Sequence, residues 1–232
     1  MAFRRSIRKK CWRYCRQKCR RHPVIRPAAL LIFFVSVSGC ALFAAAPPAK
    51  QSNICEIFRQ EPAWYDHARD AQEKWGTPIA TQMAFIHQES SFRSHAKPPR
   101  DRLLGFIPWF RSSSAYGYAQ AQDPVWGEYE EDVGGLLTRR THMKYATDFI
   151  GWYNRRSHER LGISLYNPEH LYLAYHEGPT GYRRGYHRNK PQVLRSAVKV
   201  SGLASRYQTQ LAGCESEFRC RHFWQIWPFC RG

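Results

Sequence analysis

The chain of 232 residues lacks the short motifs with which several enzyme classes hold a metal, a phosphate or a nucleophile. It has no H-E-x-x-H, G-x-S-x-G or G-x-x-x-x-G-K-[ST] pattern, so nothing indicates a zinc protease, an α/β-hydrolase or a P-loop enzyme. C-x-x-C pairs are absent and the ten His are scattered. The sequence therefore predicts no metal site and no cofactor.

Acidic residues are scarce, with 18 Asp and Glu against 36 Lys and Arg, and residues 1–39 contain none of them. Eleven of the basic residues lie in that segment, so residues 40–232 carry only +7 of the net charge of +18. A strong positive charge by itself suggests a nucleic-acid partner. Because most of the excess lies in one N-terminal block with another explanation, we expect no nucleic-acid binding; steeply salt-dependent binding by residues 40–232 would indicate otherwise.

The N-terminal block is typical of an export signal. A basic stretch over residues 1–26 is followed by the apolar run 28–35 and then by Val37-Ser38-Gly39-Cys40. A basic region, a short apolar region and a small-residue site are the three parts of a secretory signal. The last four residues resemble a bacterial lipobox, which implies that Cys40 carries lipid at the N-terminus of the mature chain.

Two other interpretations of this segment stay open. Residues 28–46 form a largely apolar stretch of 19 residues, nearly enough to span a bilayer, so it could be an uncleaved inner-membrane anchor. Ordinary signal cleavage is the second. All three place the rest of the chain outside the cytoplasm, in the periplasm. Ala41 lacks the acidic character associated with inner-membrane retention, which favours an outer-membrane lipoprotein.

Four cysteines remain beyond the signal and Cys40, and in an oxidising compartment four cysteines suggest two disulfides. Three connectivities are possible. We predict that Cys55 pairs with Cys214, tying the two ends of the domain, and that Cys220 pairs with Cys230, closing the tail. Metal binding is the alternative, which the absence of a C-x-x-C pair disfavours.

Residues 77–92 are predicted to form a helix that carries a candidate acid, Glu89. Thr77 can cap its start and Pro78 suits its first position. Ile79, Met83, Ile86 and Ser90 recur at helical spacing as an inward stripe, and Glu89 lies at the edge of that stripe. A carboxyl beside apolar groups is partly desolvated, which raises its pKa and lets it hold a proton near neutrality.

Three segments, which follow one another in the family's order, resemble motifs of the soluble lytic transglycosylase (SLT) family. Glu89-Ser90-Ser91-Phe92 resembles its Glu-Ser-x-Phe motif. In residues 114–120, Gly117 and Gln120 match a Gly-Leu-Met-Gln motif, in which Tyr118 and Ala119 replace Leu and Met. In residues 174–178, Ala174, Tyr175 and Gly178 match Ala-Tyr-Asn-x-Gly, and His176 replaces Asn.

The resemblance implies a mainly α, lysozyme-like fold with at most a small β element, and peptidoglycan glycan strands as substrate. Glu89 would be the acid and then the base, forming 1,6-anhydro-N-acetylmuramic acid. Substrate-binding positions would be Ser90, Gly117, Tyr118, Gln120, Tyr175 and His176, and Tyr175 would also orient Glu89. The departure at His176 puts the role of the family's Asn in doubt.

The predicted organisation has four parts: a signal over 1–39, a lipidated N-terminus and linker over 40–60, the catalytic domain over 61–207, and a tail rich in Cys and aromatics over 208–232. Further helices are predicted over 128–153, after the start signal Asn167-Pro168, and over 190–207.

Two other functions remain open at this point. A lysozyme-type muramidase would need a second carboxylate in most families. The candidates are Asp101, Asp123 and Glu128, none of which lies in a recognisable motif. A non-catalytic scaffold lipoprotein that binds the cell wall is the other, and the presence of Glu89, Gln120 and Tyr175 disfavours it.

Overall fold

A computed structural model describes residues 46–100, 102–103, 107–108, 113–135 and 137–219. The predictions for the signal over 1–39, for lipidation of Cys40 and for a Cys220–Cys230 disulfide lie outside these residues. Among the residues described, no helix combines the length and the apolar character needed to cross a membrane.

The described chain is mainly helical, as predicted. Its helices are α1 (Ile54–Gln60), α2 (Pro62–Trp75), α3 (Ile79–Ser90), α4 (Asp123–Tyr129), α5 (Met143–Leu161), α6 (Pro168–Arg183), α7 (Pro191–Cys214) and α8 (Ser216–Arg219). A π-helical turn over Glu130–Gly134 extends α4, and a 3₁₀ turn over Tyr186–Asn189 precedes α7. The short strands β1 (Arg102–Leu103) and β2 (Ile107–Pro108) pair antiparallel, which is the small β element.

Helix α3 is the central element of the fold. It packs against α2, α5 and α7, and every residue from Ile79 to Ile86 is buried. A helix that is apolar all round is typically a core helix. The predicted one-sided stripe was therefore too narrow, because even Gln82 is fully buried and donates its amide to the carbonyls of Ala68 and Thr77 at 3.0 and 2.8 Å.

The start of α3 differs from its prediction in detail. The helix begins at Ile79 with Pro78 as its N-cap, and Thr77 makes no capping bond. The free backbone N–H of Ile79 donates instead to Oε1 of Gln72, in α2, at 2.8 Å. A side chain distant in sequence thus satisfies one of the unpaired N–H groups at the helix start.

The two ends of the domain are joined by the predicted disulfide. Cys55 in α1 and Cys214 at the end of α7 form a disulfide with Cα atoms 6.1 Å apart. The α1 backbone N–H of Ile54 also donates to Oε1 of Gln210 at 3.0 Å. Helix α1 thus packs on α7, which continues to Cys214, so helical residues on both sides of 61–207 contact this part of the chain.

The long helix predicted over 128–153 is two elements instead of one. Helix α4 and its π-helical turn end at Gly134, and α5 begins at Met143. Gly135 then has a φ of 68°, a conformation that glycine adopts without strain, and it redirects the chain. The residues between the two helices carry Arg140, which contacts the second motif described below.

Removing the Cys55–Cys214 disulfide should destabilise the domain. The bond spans 159 residues of sequence, and closing so long a loop in the unfolded chain is worth about 5 kcal/mol in the chain-entropy model. We expect the Cys55→Ala/Cys214→Ala double variant to lower the free energy of unfolding by about 2–5 kcal/mol in guanidinium denaturation. An unchanged transition midpoint would contradict this role.

Candidate active site

Glu89 lies in the last turn of α3, where the helix leaves the core. Ser91 ends the helix in a left-handed conformation (φ 50°), and its N–H donates to the carbonyl of His87. Ser90 is 1% exposed and its hydroxyl donates to the carbonyl of Ile86 at 3.0 Å. The Glu-Ser-Ser-Phe segment is therefore a helix end in which one Ser is inside and Glu89 is at the border of the core.

The chain is held in an unusual turn directly after Glu89. Ser91 and Phe92 both have positive φ (50° and 57°), which costs a residue with a side chain about 1–3 kcal/mol. Phe92 is buried and stacks on Trp64 of α2, with ring centroids 5.6 Å apart. The burial of Phe92 offsets the cost of the turn and fixes the end of the helix.

A group of aromatic rings surrounds the Glu89 end of α3. We name it the aromatic cluster: Phe85, Phe149, Tyr153, Tyr172 and Tyr175. Phe85, one turn before Glu89, meets Tyr172 and Tyr175 edge-on at centroid distances of 5.3 and 5.4 Å. Tyr153 meets Tyr175 at 4.9 Å. Such edge-to-face contacts are a favourable aromatic geometry and give the carboxyl largely apolar surroundings.

Burial in these surroundings raises the pKa of Glu89 from its ordinary value of 4.5 to about 7. A hydrogen bond from the Tyr172 hydroxyl acts in the opposite direction and lowers it. The residue still keeps part of its surface accessible to solvent. Glu89 thus combines a proton held near neutrality with access from outside, which is what a general acid requires.

The second motif forms a tight loop that packs on two other segments. The N–H of Gly117 donates to the carbonyl of Ala96 at 3.0 Å, and that of Tyr118 donates to the carbonyl of Arg140 at 3.1 Å. Gly117 has a φ of 80°, and a Cβ there would lie 2.2 Å from the carbonyl oxygen of Arg140. Only glycine fits this position, for both conformation and space.

The Gln120 side chain braces the loop. Its amide nitrogen donates to the carbonyls of Ala96 and Gly117, both at 2.9 Å, and its backbone is left-handed (φ 50°). In the part of the chain that the structure describes, no group donates to its Oε1. Tyr118 is buried and meets Trp64 edge-on at 5.6 Å.

One hydrogen bond joins the second motif to the third. The hydroxyl of Tyr175, on α6, donates to the carbonyl of Ala119 at 2.5 Å. Tyr175 also packs on Phe85, one turn from Glu89. Its phenol pKa is raised by burial and by the nearby Glu89 charge, so the hydroxyl stays protonated as a donor. The three sequence motifs therefore meet at the Glu89 end of α3.

The third motif ends in a kink of α6 at Gly178, whose φ is 72°. The chain bends there and continues helically from Pro179. Just before the kink, Glu177 bonds Lys190 at 2.8 Å, and Nδ1 of His176 lies 3.2 Å from its carboxylate. His176 is exposed and lies on the same helix as Tyr175.

The structure thus distributes the predicted site residues unevenly. It brings Glu89 and Tyr175 into one cluster and places Gly117 and Gln120 in the adjoining loop. Ser90 and Tyr118 are buried, positions that favour packing over substrate contact, so their substrate roles stay predictions.

Sequence reasoning missed Tyr172, whose hydroxyl bonds Glu89, and assigned the orienting role to Tyr175. The two tyrosines lie three residues apart, on one face of α6, and this spacing was the available signal.

The other carboxylates considered from sequence are engaged elsewhere. Asp123 pairs with Arg140 at 2.5 Å and Glu128 with Arg156 at 2.8 Å, while Asp101 lies outside the described residues. Among the residues that the structure describes, no acidic group contributes to the raised pKa of Glu89. Nor do three or more His, Cys, Asp or Glu there converge as a metal site would require.

A helical domain with one protonatable carboxyl at the end of a core helix, enclosed by aromatics, is the architecture expected of a lysozyme-like glycan-cleaving enzyme. The family model described as the transglycosylase SLT domain matches residues 28–214. The chain therefore belongs to the transglycosylase SLT domain family. Neither the curated proteins nor the solved structures contain a significant match to the chain.

The raised pKa of Glu89 should make stability depend on pH. Between pH 4.5 and 7 the folded state holds a proton that the unfolded state has released, so the free energy of unfolding falls as pH rises. Glu89→Gln lacks this proton. Its stability relative to the parent should therefore rise by up to about 3 kcal/mol between pH 4 and pH 8, measured by urea denaturation.

Glu159→Gln is the matched control for this measurement, since it removes an exposed carboxylate from α5. A stability difference between the Glu89→Gln variant and the parent that does not change with pH would contradict the raised pKa.

Proposed function

We propose that this protein cleaves the β-1,4 bond between N-acetylmuramic acid and N-acetylglucosamine in peptidoglycan, with Glu89 as its single acid and base. The observation that carries the proposal is the carboxyl of Glu89, a partly exposed residue at the end of α3, whose pKa burial raises to about 7. Family membership supports transglycosylase chemistry on peptidoglycan, and the residue roles below are proposals.

In the first step, protonated Glu89 donates its proton to the glycosidic oxygen. The bond from muramoyl C1 to that oxygen breaks, and N-acetylglucosamine leaves with a hydroxyl group. A pKa near 7 supports this step, because burial lets Glu89 keep its proton close to neutral pH.

In the second step, the ionised Glu89 takes the proton of the muramoyl C6 hydroxyl. The C6 oxygen then bonds to C1, which closes a 1,6-anhydro ring and returns the proton to Glu89. No water is consumed, and the enzyme ends in its starting state. Since the nucleophile belongs to the same sugar, the step has the advantage of an intramolecular reaction.

Among the described residues, no acidic group contributes to the raised pKa of Glu89, and this favours ring closure over hydrolysis. An ordinary muramidase uses a second carboxylate to stabilise the intermediate or to activate water. The salt bridges of Asp123 and Glu128 occupy those carboxylates, and no acidic group among the described residues perturbs Glu89. Ring closure by the substrate needs no second acid.

The residues around Glu89 would position the carboxyl and the glycan. The hydroxyl of Tyr172 would donate to the carboxyl and orient it. Tyr175, by holding the carbonyl of Ala119, sets the loop that offers Gly117 and the Oε1 of Gln120 to the glycan. The exposed imidazole of His176 would donate to the substrate where the family has an Asn amide.

The substrate implies a periplasmic location, and lipidation of Cys40 at the outer membrane remains our proposal for how the enzyme is held there. An uncleaved inner-membrane anchor is the alternative. Metabolic labelling with a fatty acid, compared between the parent and Cys40→Ala, distinguishes them.

The reaction can be tested with the full-length chain purified in detergent and incubated with sacculi. Mass spectrometry should find muropeptides about one water lighter than the reducing forms, as ring closure without hydrolysis requires. Glu89→Gln should release them at least about a thousandfold more slowly, because one group performs both proton transfers. Glu159→Gln should match the parent.

Reducing products that depend on Glu89 would make the protein a muramidase and contradict the ring-closing step. No release by the parent, with binding to sacculi retained, would favour the non-catalytic scaffold and contradict the enzymatic proposal.

A further inference from the structure

A surface cavity of about 610 Å³ lies at the end of α3 opposite Glu89. Its walls are the start of α3, the loop before α6 and the middle of α7. Thr81, which lines it, precedes Glu89 by eight residues in one helix, which corresponds to a rise of about 12 Å along the axis. We name this cavity the distal groove, and its lining does not include Glu89.

The distal groove has a well-fixed end wall. Gly76 is left-handed (φ 82°), and a Cβ there would lie 2.9 Å from Cδ1 of Leu165, so the 164–168 segment approaches the end of α2 closely. In that segment the N–H of Tyr166 donates to Oγ of Ser164, and the carbonyl of Ser164 accepts from Asn167. These bonds fix the backbone that carries Tyr166.

Tyr166 is 81% exposed at the rim of the groove, an unusual place for a large aromatic ring on a fixed turn. Its ring offers a flat apolar face with a polar edge. This combination suits the apolar faces and hydroxyl edges of a sugar ring better than a purely apolar ligand.

The polar groups of the groove are uncharged. Ser201, Ser205 and Gln208 recur at one-turn spacing along α7 and face Thr81 and Gln72 across the groove. Within the described part of the chain, the side chains of Ser201, Ser205 and Gln208 have no hydrogen-bond partner. A row of hydroxyls and an amide with unused donors and acceptors is the chemistry that recognises neutral hydroxyl-bearing ligands.

Charge distinguishes the distal groove from two other cavities of similar size. Both of the others are lined by charged side chains of both signs: the cavity beside the second motif by Lys97, Asp123, Arg139 and Arg140, and another by Lys74, Asp132, Arg155, Arg156 and Glu159. A groove lined without charge disfavours anionic ligands such as phosphate or lipid headgroups.

We propose that the distal groove is an accessory binding site for a neutral N-acetylhexosaminyl glycan, with Tyr166 as the stacking platform. The choice of a glycan over other neutral polyols rests on the proposed function. A volume of about 610 Å³ accommodates a short run of sugar rings.

Such a site would hold the domain on an insoluble polymer while Glu89, at the other end of α3, cleaves a glycan strand. Linked binding sites raise the effective concentration of the second contact, so modest affinity in the groove is sufficient. A variant that cannot bind glycan in the distal groove should therefore lose more activity on sacculi than on short soluble substrates.

The test uses the full-length chain carrying Glu89→Gln, so that the ligand is not cut, and a β-1,4-linked N-acetylglucosamine hexamer as the probe. In amide NMR titrations, signals of Ser201, Ser205 and Gln208 should shift on addition of the hexamer. Tyr166→Ala should raise the Kd obtained from these shifts by at least about tenfold, the size of effect typical for one stacked aromatic. Raising the salt concentration should not weaken them, since the probe is neutral.

A second variant fills the groove without touching the core. Ser205→Trp should abolish the α7 shifts, while Arg206→Trp, on the next and exposed position, should leave them intact. Tyr186→Ala removes another exposed tyrosine and serves as the control for Tyr166→Ala. In the Glu89 parent, Tyr166→Ala should slow release from sacculi several-fold and leave cleavage of soluble glycan unchanged.

The proposal is overturned if Tyr166→Ala and Ser205→Trp bind the hexamer as their controls do, or if the α7 signals do not respond to it. These readouts are independent of cleavage, because binding is measured without an active Glu89. If the protein releases no anhydro products yet shows the α7 shifts, the proposed reaction is contradicted and the accessory site is supported.

Discussion

The desolvation of one carboxyl, that of Glu89, is the constraint on which the rest of the site depends. A glutamate with its ordinary pKa of 4.5 would be ionised at neutral pH and could not act as an acid. Keeping it protonated requires apolar surroundings, and keeping it useful requires an opening to the substrate. The position of Glu89, at the last turn of a core helix and beside the aromatic cluster, provides the apolar surroundings and leaves part of the residue exposed to solvent.

The fold provides this position by placing a helix in its centre. Helix α3 is buried along its first two turns between α2, α5 and α7, so its direction is fixed before the chain reaches Glu89. Phe92, under Trp64, then holds a left-handed turn that ends the helix. The Cys55–Cys214 disulfide ties α1 to the end of α7, and α7 in turn packs along α3. Elements far apart in sequence therefore converge on the geometry of one side chain.

Much of this arrangement was predictable from local sequence, and the rest depends on contacts that sequence does not display. The helix carrying Glu89 follows from its apolar spacing, although Thr77 does not cap it, and the start of α6 follows from its capping residue Asn167. The bond from Tyr172 to Glu89, the capping of Ile79 by Gln72 and the left-handed Phe92 each need a partner from another element. The hydroxyl of Tyr175 bonds Ala119, while that of Tyr172 bonds Glu89, and only the packing of α6 against α3 decides between the two tyrosines. The fold and the candidate acid could thus be predicted from the sequence, whereas the orientation of that acid could not.

The most direct test of the account is the titration of the Glu89 carboxyl by carbon-13 NMR, in the parent and in Tyr172→Phe. The account predicts a pKa of about 7 in the parent. It also predicts a higher pKa in Tyr172→Phe, because the lost hydrogen bond favours the ionised form. Tyr186→Phe, which changes an exposed tyrosine outside the aromatic cluster, is the control. A Glu89 pKa near 4.5, or one that Tyr172→Phe leaves unchanged, would contradict the claim that burial beside these tyrosines prepares Glu89 for catalysis.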